Sequence, residues 1–119
     1  MLQKLRITMD SKSIVENIRF INQLLVVEDY AMLIKLDRDK KFDEYRIQEI
    51  IKNESRGKVT ELPENLLMLV DIYGIDNPNE VLVQFDLWIN QEKSDLTITC
   101  KLYNDDESHF FSIENLRVL

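Results

Sequence analysis

Residues 81–89 read VLVQFDLWI, and this alternation constrains the fold more than any other stretch of the chain. Side chains of an extended segment point to opposite faces with a period of two. Val81, Val83, Phe85, Leu87 and Ile89 therefore share one apolar face, while Leu82, Gln84, Asp86 and Trp88 share the other. Such a strand needs neighbours for its backbone groups and a second layer to cover its apolar face.

The neighbours are found on both sides in sequence. NQEKS reads as a turn into a segment whose Leu96, Ile98, Cys100 and Leu102 share a face, and NDDES turns that segment into SHFFSIENLRVL. Upstream, Leu66, Met68, Val70 and Ile72 alternate ahead of the turn-forming IDNPNE. Strands are predicted over residues 66–73, 81–89, 95–103 and 110–119, joined by short loops as an antiparallel meander.

The covering layer comes first in the chain. Ser13 followed by Glu16 has the spacing of a capping box, and Ile14, Ile18, Ile21 and Leu25 then recur at helical intervals, predicting a helix over residues 11–25. Glu28 and Asp29 suit the start of a second helix with Tyr30, Leu33 and Ile34 on its buried side, which DRDKK ends. Asp43 can cap a third helix striped by Ile47, Ile50 and Ile51, with Gly57 just beyond its end. The expectation is an α+β domain over residues 1–119: three N-terminal helices packed on one face of a four-stranded antiparallel meander sheet.

At 119 residues the chain can bury a core without disulfides or metals. No apolar run approaches the ~18–20 residues of a membrane span, so no membrane partner is expected. MLQKLRITMD breaks up any apolar core of an export signal, which points to the cytoplasm. The single cysteine, Cys100, falls at an alternating strand position and reads as a small buried apolar residue.

Charge is unevenly divided. Residues 1–58 hold 12 Lys/Arg and 10 Asp/Glu, and residues 59–119 hold 3 and 12, so the two halves carry +2 and −9. A −9 half repels phosphate backbones, which excludes nucleic acid as an expected partner and favours a basic protein. The same acids could serve solubility alone.

Chemistry is sparse. His109 has no second histidine or cysteine cluster to build a zinc site with, and a chain with only Gly57 and Gly74 has no phosphate-cradling loop or nucleophile elbow. Asp105, Asp106 and Glu107 lack the spaced ligands and glycine of a calcium loop and read as a charged turn. No catalytic residue, metal or cofactor is expected, and the chain does not read as an enzyme. Trp88 beside Asp86 either covers sheet surface or anchors a partner, as buried tryptophans with a charged surround do at binding hot spots.

The stretch LWINQEKSDLTI, with the C-terminal SIENLRVL, resembles the signature of a small bacterial family of otherwise unassigned domains, which is itself similar to immunity proteins of contact-dependent growth inhibition and related toxin systems. Trp88, Glu92, Ser94, Asp95, Leu96 and Thr97 match its first part, Ile113, Val118 and Leu119 its second, and Asp29 and Tyr30 a helix junction upstream. The chain departs from the pattern in its turn, which has no glycine and carries Asn90 and Gln91 where acids are common. The resemblance implies a cytoplasmic protein that binds and neutralises a cognate toxin domain, with Asp86, Trp88, Glu92 and Asp95 as the partner-binding residues. The order of helices then meander is also similar to the cone of nuclear transport factor 2-like domains. That likeness implies a rival reading, a ligand-binding or catalytic pocket between sheet and helices with Tyr30, Asp71 and Tyr73 as first candidates.

Overall fold

A computed structural model describes residues 9–74, 77–105 and 108–119. The expectations placed on the first eight residues, on part of the IDNPNE turn and on Asp106 and Glu107 fall outside them.

Three helices come first: α1 (Ser11–Val26), α2 (Tyr30–Leu36) and α3 (Glu44–Ser55). Each starts on an aspartate whose carboxylate accepts an amide of the first turn, which would otherwise have no partner. Asp10 takes the Ser13 amide at 2.8 Å, Asp29 that of Met32 at 3.1 Å and Asp43 that of Arg46 at 2.8 Å. The cap of α1 is thus Asp10 and not the expected Ser13, which sits inside the first turn. Asp10 wins because an ionised carboxylate accepts more strongly than a hydroxyl.

The strands are β1 (Val59–Thr60), β2 (Asp71–Gly74), β3 (Glu80–Ile89), β4 (Glu92–Tyr103) and β5 (Phe111–Val118), all antiparallel. The meander β2–β3–β4–β5 is present as expected. β1 is an addition, pairing Thr60 with Trp88 and Val59 with Ile89, so β1 and β2 share one edge of β3. The sheet curls into a half-barrel, and the three helices precede it in the chain.

The alternation of β3 is realised residue by residue: Val81, Val83, Phe85, Leu87 and Ile89 are buried. They join Ile98, Cys100 and Leu102 of β4, Phe111 and Ile113 of β5, and Ile18, Ile21, Ile47 and Ile50 of the helices in one core. Cys100 is fully enclosed there, and burial pushes its thiol up, so it stays protonated and inert.

The strand expected over residues 66–73 is a correction. Only its last part is extended. Leu66–Met68 is a 3-10 turn that drives Leu66 into the core and leaves Met68 82% exposed, so the alternation of Leu66 with Met68 does not hold. The turn closes on the amides of Met68 and Leu69, which bond the carbonyls of Asn65 and Leu66 at 3.0 and 2.9 Å. The segment before it is tied to α1, where the Arg19 guanidinium donates to the carbonyls of Leu62, Pro63 and Glu64 at 3.2, 2.9 and 3.3 Å.

The loop after α2 ties the helical layer to the far sheet edge. The Arg38 amide donates to the Phe111 carbonyl at 2.8 Å, its guanidinium reaches both Asp105 oxygens, and it lies 3.7 Å over the Tyr103 ring. Asp37 beside it is fully buried; its Oδ1 accepts the amides of Lys40 and Ile113 at 3.2 and 3.4 Å, and its Oδ2 has no hydrogen-bond partner among the described residues.

Candidate partner-binding surface

Trp88 is placed by two ladders, facing Thr60 of β1 on one side and Lys93 of β4 on the other. The Thr60 hydroxyl donates to the Trp88 carbonyl at 3.2 Å and accepts the Gln91 amide at 2.8 Å. Asn90 and Gln91, at φ 51° and 68°, form the left-handed pair that a two-residue hairpin requires. This shows how the turn closes without glycine: Asn90 tolerates that conformation and is clamped to Lys58, accepting its amide at 3.1 Å and donating to its carbonyl at 2.8 Å.

The indole is half-buried and packs on the core from the outer face of β3. It lines two hollows. One is a shallow cleft with Pro63, Leu66, Leu69, Asp86 and Lys93; the other, of about 380 Å³, includes Val26, Thr60, Glu61 and Gln91. Leu69, which lines the first cleft, is exposed, as are Leu67 and Met68 of the 3-10 turn just before it. An exposed apolar group of this kind next to an aromatic residue is the usual anatomy of an interaction surface.

The four residues singled out in the sequence play different parts. Asp86 is internally committed: its Oδ1 accepts the Thr97 hydroxyl at 2.6 Å and its Oδ2 meets Lys93 Nζ at 2.9 Å. Glu92 is exposed where β4 begins, opposite Ile89. Asp95 is exposed in a bulge where residues 94–96 oppose Leu87 alone, with the Ser94 hydroxyl donating to the Leu87 carbonyl at 2.6 Å. Trp88 and Asp86 of β3 are thus brought together with Lys93 of β4, while Glu92 and Asp95 are exposed on β4 and Glu92 pairs with Ile89, on the other face from Trp88. Sequence reasoning missed Lys93 as the partner of Asp86, and it missed Leu67, Met68 and Leu69. The signal for the latter was the apolar run LLMLV directly after the turn-forming ELPEN.

The residues of the rival pocket separate. Asp71 and Tyr73 lie exposed on the edge strand β2. Tyr30 instead lines a cavity of about 480 Å³ with Gln48, Lys52, Arg56 and Lys58, over an apolar floor that includes Leu25, Ile51 and Val59. Burial, and secondarily Glu28, pushes the Tyr30 phenol up, keeping it a protonated donor at neutral pH. Among the described residues no cluster of three histidine, cysteine or carboxylate side chains could hold a metal ion.

Compared with known proteins, the chain matches no curated protein and no solved structure. A family model does match residues 23–119, a span that takes in the Trp88 surface and the whole rim of the cavity. The chain therefore belongs to the family described as Domain of unknown function (DUF7668).

Proposed function

We propose that this chain is an immunity protein: it binds a basic toxin domain of nuclease type through the surface around Trp88 and neutralises it in the cell that makes both. One observation carries the reading, the half-buried Trp88 sharing a cleft with the exposed Leu69, which follows the exposed Leu67 and Met68 in sequence, with Glu92 and Asp95 exposed on β4. Apolar anchors at the centre supply most of the affinity of an interface, and acids around them speed encounter with a basic partner. A nuclease must attract phosphates and is accordingly basic, so the −9 of residues 59–119 complements it. Inhibition then needs binding alone and no catalytic group.

The test is co-expression with the toxin domain encoded next to this chain's own gene. Growth is restored and the two chains co-purify; a Leu69→Asp, Trp88→Ala double variant that still folds restores nothing. Growth arrest unchanged by the folded wild-type chain overturns the proposal.

A further inference from the structure

The cavity beside Tyr30 supports an inference independent of the partner-binding reading. Its rim carries Lys52, Arg56 and Lys58 against one carboxylate, Glu28. Lys58 Nζ is 3.1 Å from Glu28 Oε2, whereas neither Lys52 nor Arg56 forms an ion pair with a described carboxylate. The carboxyl ends of α1 and α3 both reach this cavity, each contributing about half a negative charge. Those two ends offset roughly one of the two cations left without a carboxylate, so the cavity stays positive by about one charge in a chain of net −7.

The walls are preorganised. Glu28 (φ 60°) and Arg56 (φ 51°) occupy left-handed positions after α1 and α3, where glycine is the least strained choice. The chain instead places charged side chains there, and both line this cavity. Gly57 does lie where a side chain is excluded: a Cβ would come within 2.5 Å of Asn90 Nδ2 and 2.8 Å of Ile89 Cγ2. The missing Cβ lets the cationic loop lie close against the β3–β4 hairpin, to which Lys58 is bonded through Asn90. A concave site with an apolar floor and a few convergent polar groups is the usual form of a small-molecule site.

We propose that this cavity binds a small organic acid, its anionic group held by Lys52 and Arg56 with the Tyr30 hydroxyl as donor, and its apolar body resting on Leu25, Ile51 and Val59. The volume of about 480 Å³ suits a single-ring or double-ring compound better than a bare inorganic anion.

The experiment is an amide chemical-shift titration of the full chain with benzoate, with benzamide as its neutral counterpart, and with inorganic phosphate. Benzoate shifts the amides of Gly57, Lys58 and Val59 and saturates in roughly the millimolar range set by its size. Benzamide and phosphate each bind at least about fivefold more weakly, one lacking the charge and the other the apolar body. Lys52→Gln and Arg56→Gln, both at exposed positions that leave the fold intact, each weaken benzoate about tenfold, while Lys12→Gln on the far end of α1 changes nothing. Equal affinity for benzoate and benzamide, unchanged affinity in both glutamine variants, or phosphate binding as tightly as benzoate overturns the proposal.

Discussion

Thr60 faces Trp88 across the β1–β3 ladder, and its hydroxyl joins the Trp88 carbonyl, 3.2 Å away, to the Gln91 amide, 2.8 Å away. Through this one side chain the two-residue strand β1 fixes both the tryptophan and the hairpin that follows it. Thr60→Val keeps the shape and removes both hydrogen bonds. A loss of about 1 kcal/mol in denaturant unfolding is expected, with the Trp88 emission shifted to the red as the indole gains solvent. Unchanged stability and emission would mean that β1 is dispensable for placing Trp88.

Glu28 ends α1 in a Schellman motif: the Asp29 amide bonds the Leu24 carbonyl at 2.8 Å and the Glu28 amide that of Leu25 at 3.2 Å. A glutamate there carries left-handed strain, and its ion pair with Lys58 is exposed at both ends and worth little. Glu28→Gly should therefore be neutral or stabilise by up to about 1 kcal/mol. A clear loss of stability in thermal unfolding would show that the Glu28 side chain holds the cavity rim together.

Gly57→Ala tests the opposite case. The Cβ would meet Asn90 and Ile89 at distances real contacts do not reach, and the chain on either side is pinned to the hairpin. A loss of roughly 1–3 kcal/mol is expected from overpacking, and the Trp88 emission should move with it because Asn90 and Gln91 must shift. An alanine variant as stable as the parent would show that the loop and hairpin are not locked together.

The chain's inner polar centre gives a pH prediction. Burial raises the Asp37 carboxyl above its ordinary value, outweighing the amides of Lys40 and Ile113 that favour its ionised form. A carboxyl whose folded-state pKa is raised contributes stability below its unfolded pKa, near 3.8. That contribution is lost as pH rises through the folded-state value. At neutral pH the buried charge is a net cost, so Asp37→Asn should melt higher than the parent at pH 7, and the difference should shrink as pH falls towards 3. A variant less stable at every pH would show that the ionised carboxylate is satisfied and structurally required.

Much of this architecture was legible in the sequence where side chains repeat with a clear period. The five inward residues of β3, the isoleucine stripes of α1 and α3, and the cap Asp43 stand where the pattern put them. Of the acids Glu28 and Asp29 expected at the start of the second helix, Asp29 caps α2 and Glu28 ends α1. Met68 shows the limit: four alternating apolar residues look the same whether they form a strand or follow a 3-10 turn. The turn itself closes on local bonds, Met68 to Asn65 and Leu69 to Leu66, and the segment leading into it is tied to Arg19, forty-odd positions away, neither of which leaves a periodic trace. Asp86 was expected among the partner-binding residues, and its pairing with Lys93 was hidden because it depends on the bulge at residues 94–96, which shifts the register and leaves no periodic trace. The convergence of Lys52, Arg56 and Lys58 around Tyr30 was equally hidden, since it arises from packing a helix end against a two-residue strand.

The same correction redistributes the roles around the tryptophan. Asp86→Asn breaks a part-exposed ion pair and should lower stability by no more than about 1 kcal/mol, with little effect on encounter with a partner. Glu92→Lys and Asp95→Lys should slow association with a basic toxin domain and flatten its salt dependence, because both acids are exposed and without an ion pair among the described residues. Stopped-flow association at two salt concentrations separates the three variants. Equal rates for all of them would leave the acids as solubility features.

The most direct test of the proposed partner binding is the dissociation rate of the proposed complex between this chain and a toxin domain encoded beside its gene, measured for the parent and for Trp88→Ala, with thermal melts of both. The folded Trp88→Ala variant is expected to lose about 2 kcal/mol or more of affinity, roughly thirtyfold, mainly through faster dissociation. A Trp88→Ala variant that melts lower yet, while folded, dissociates at the parental rate would contradict it, making the indole a core residue and placing the interface elsewhere.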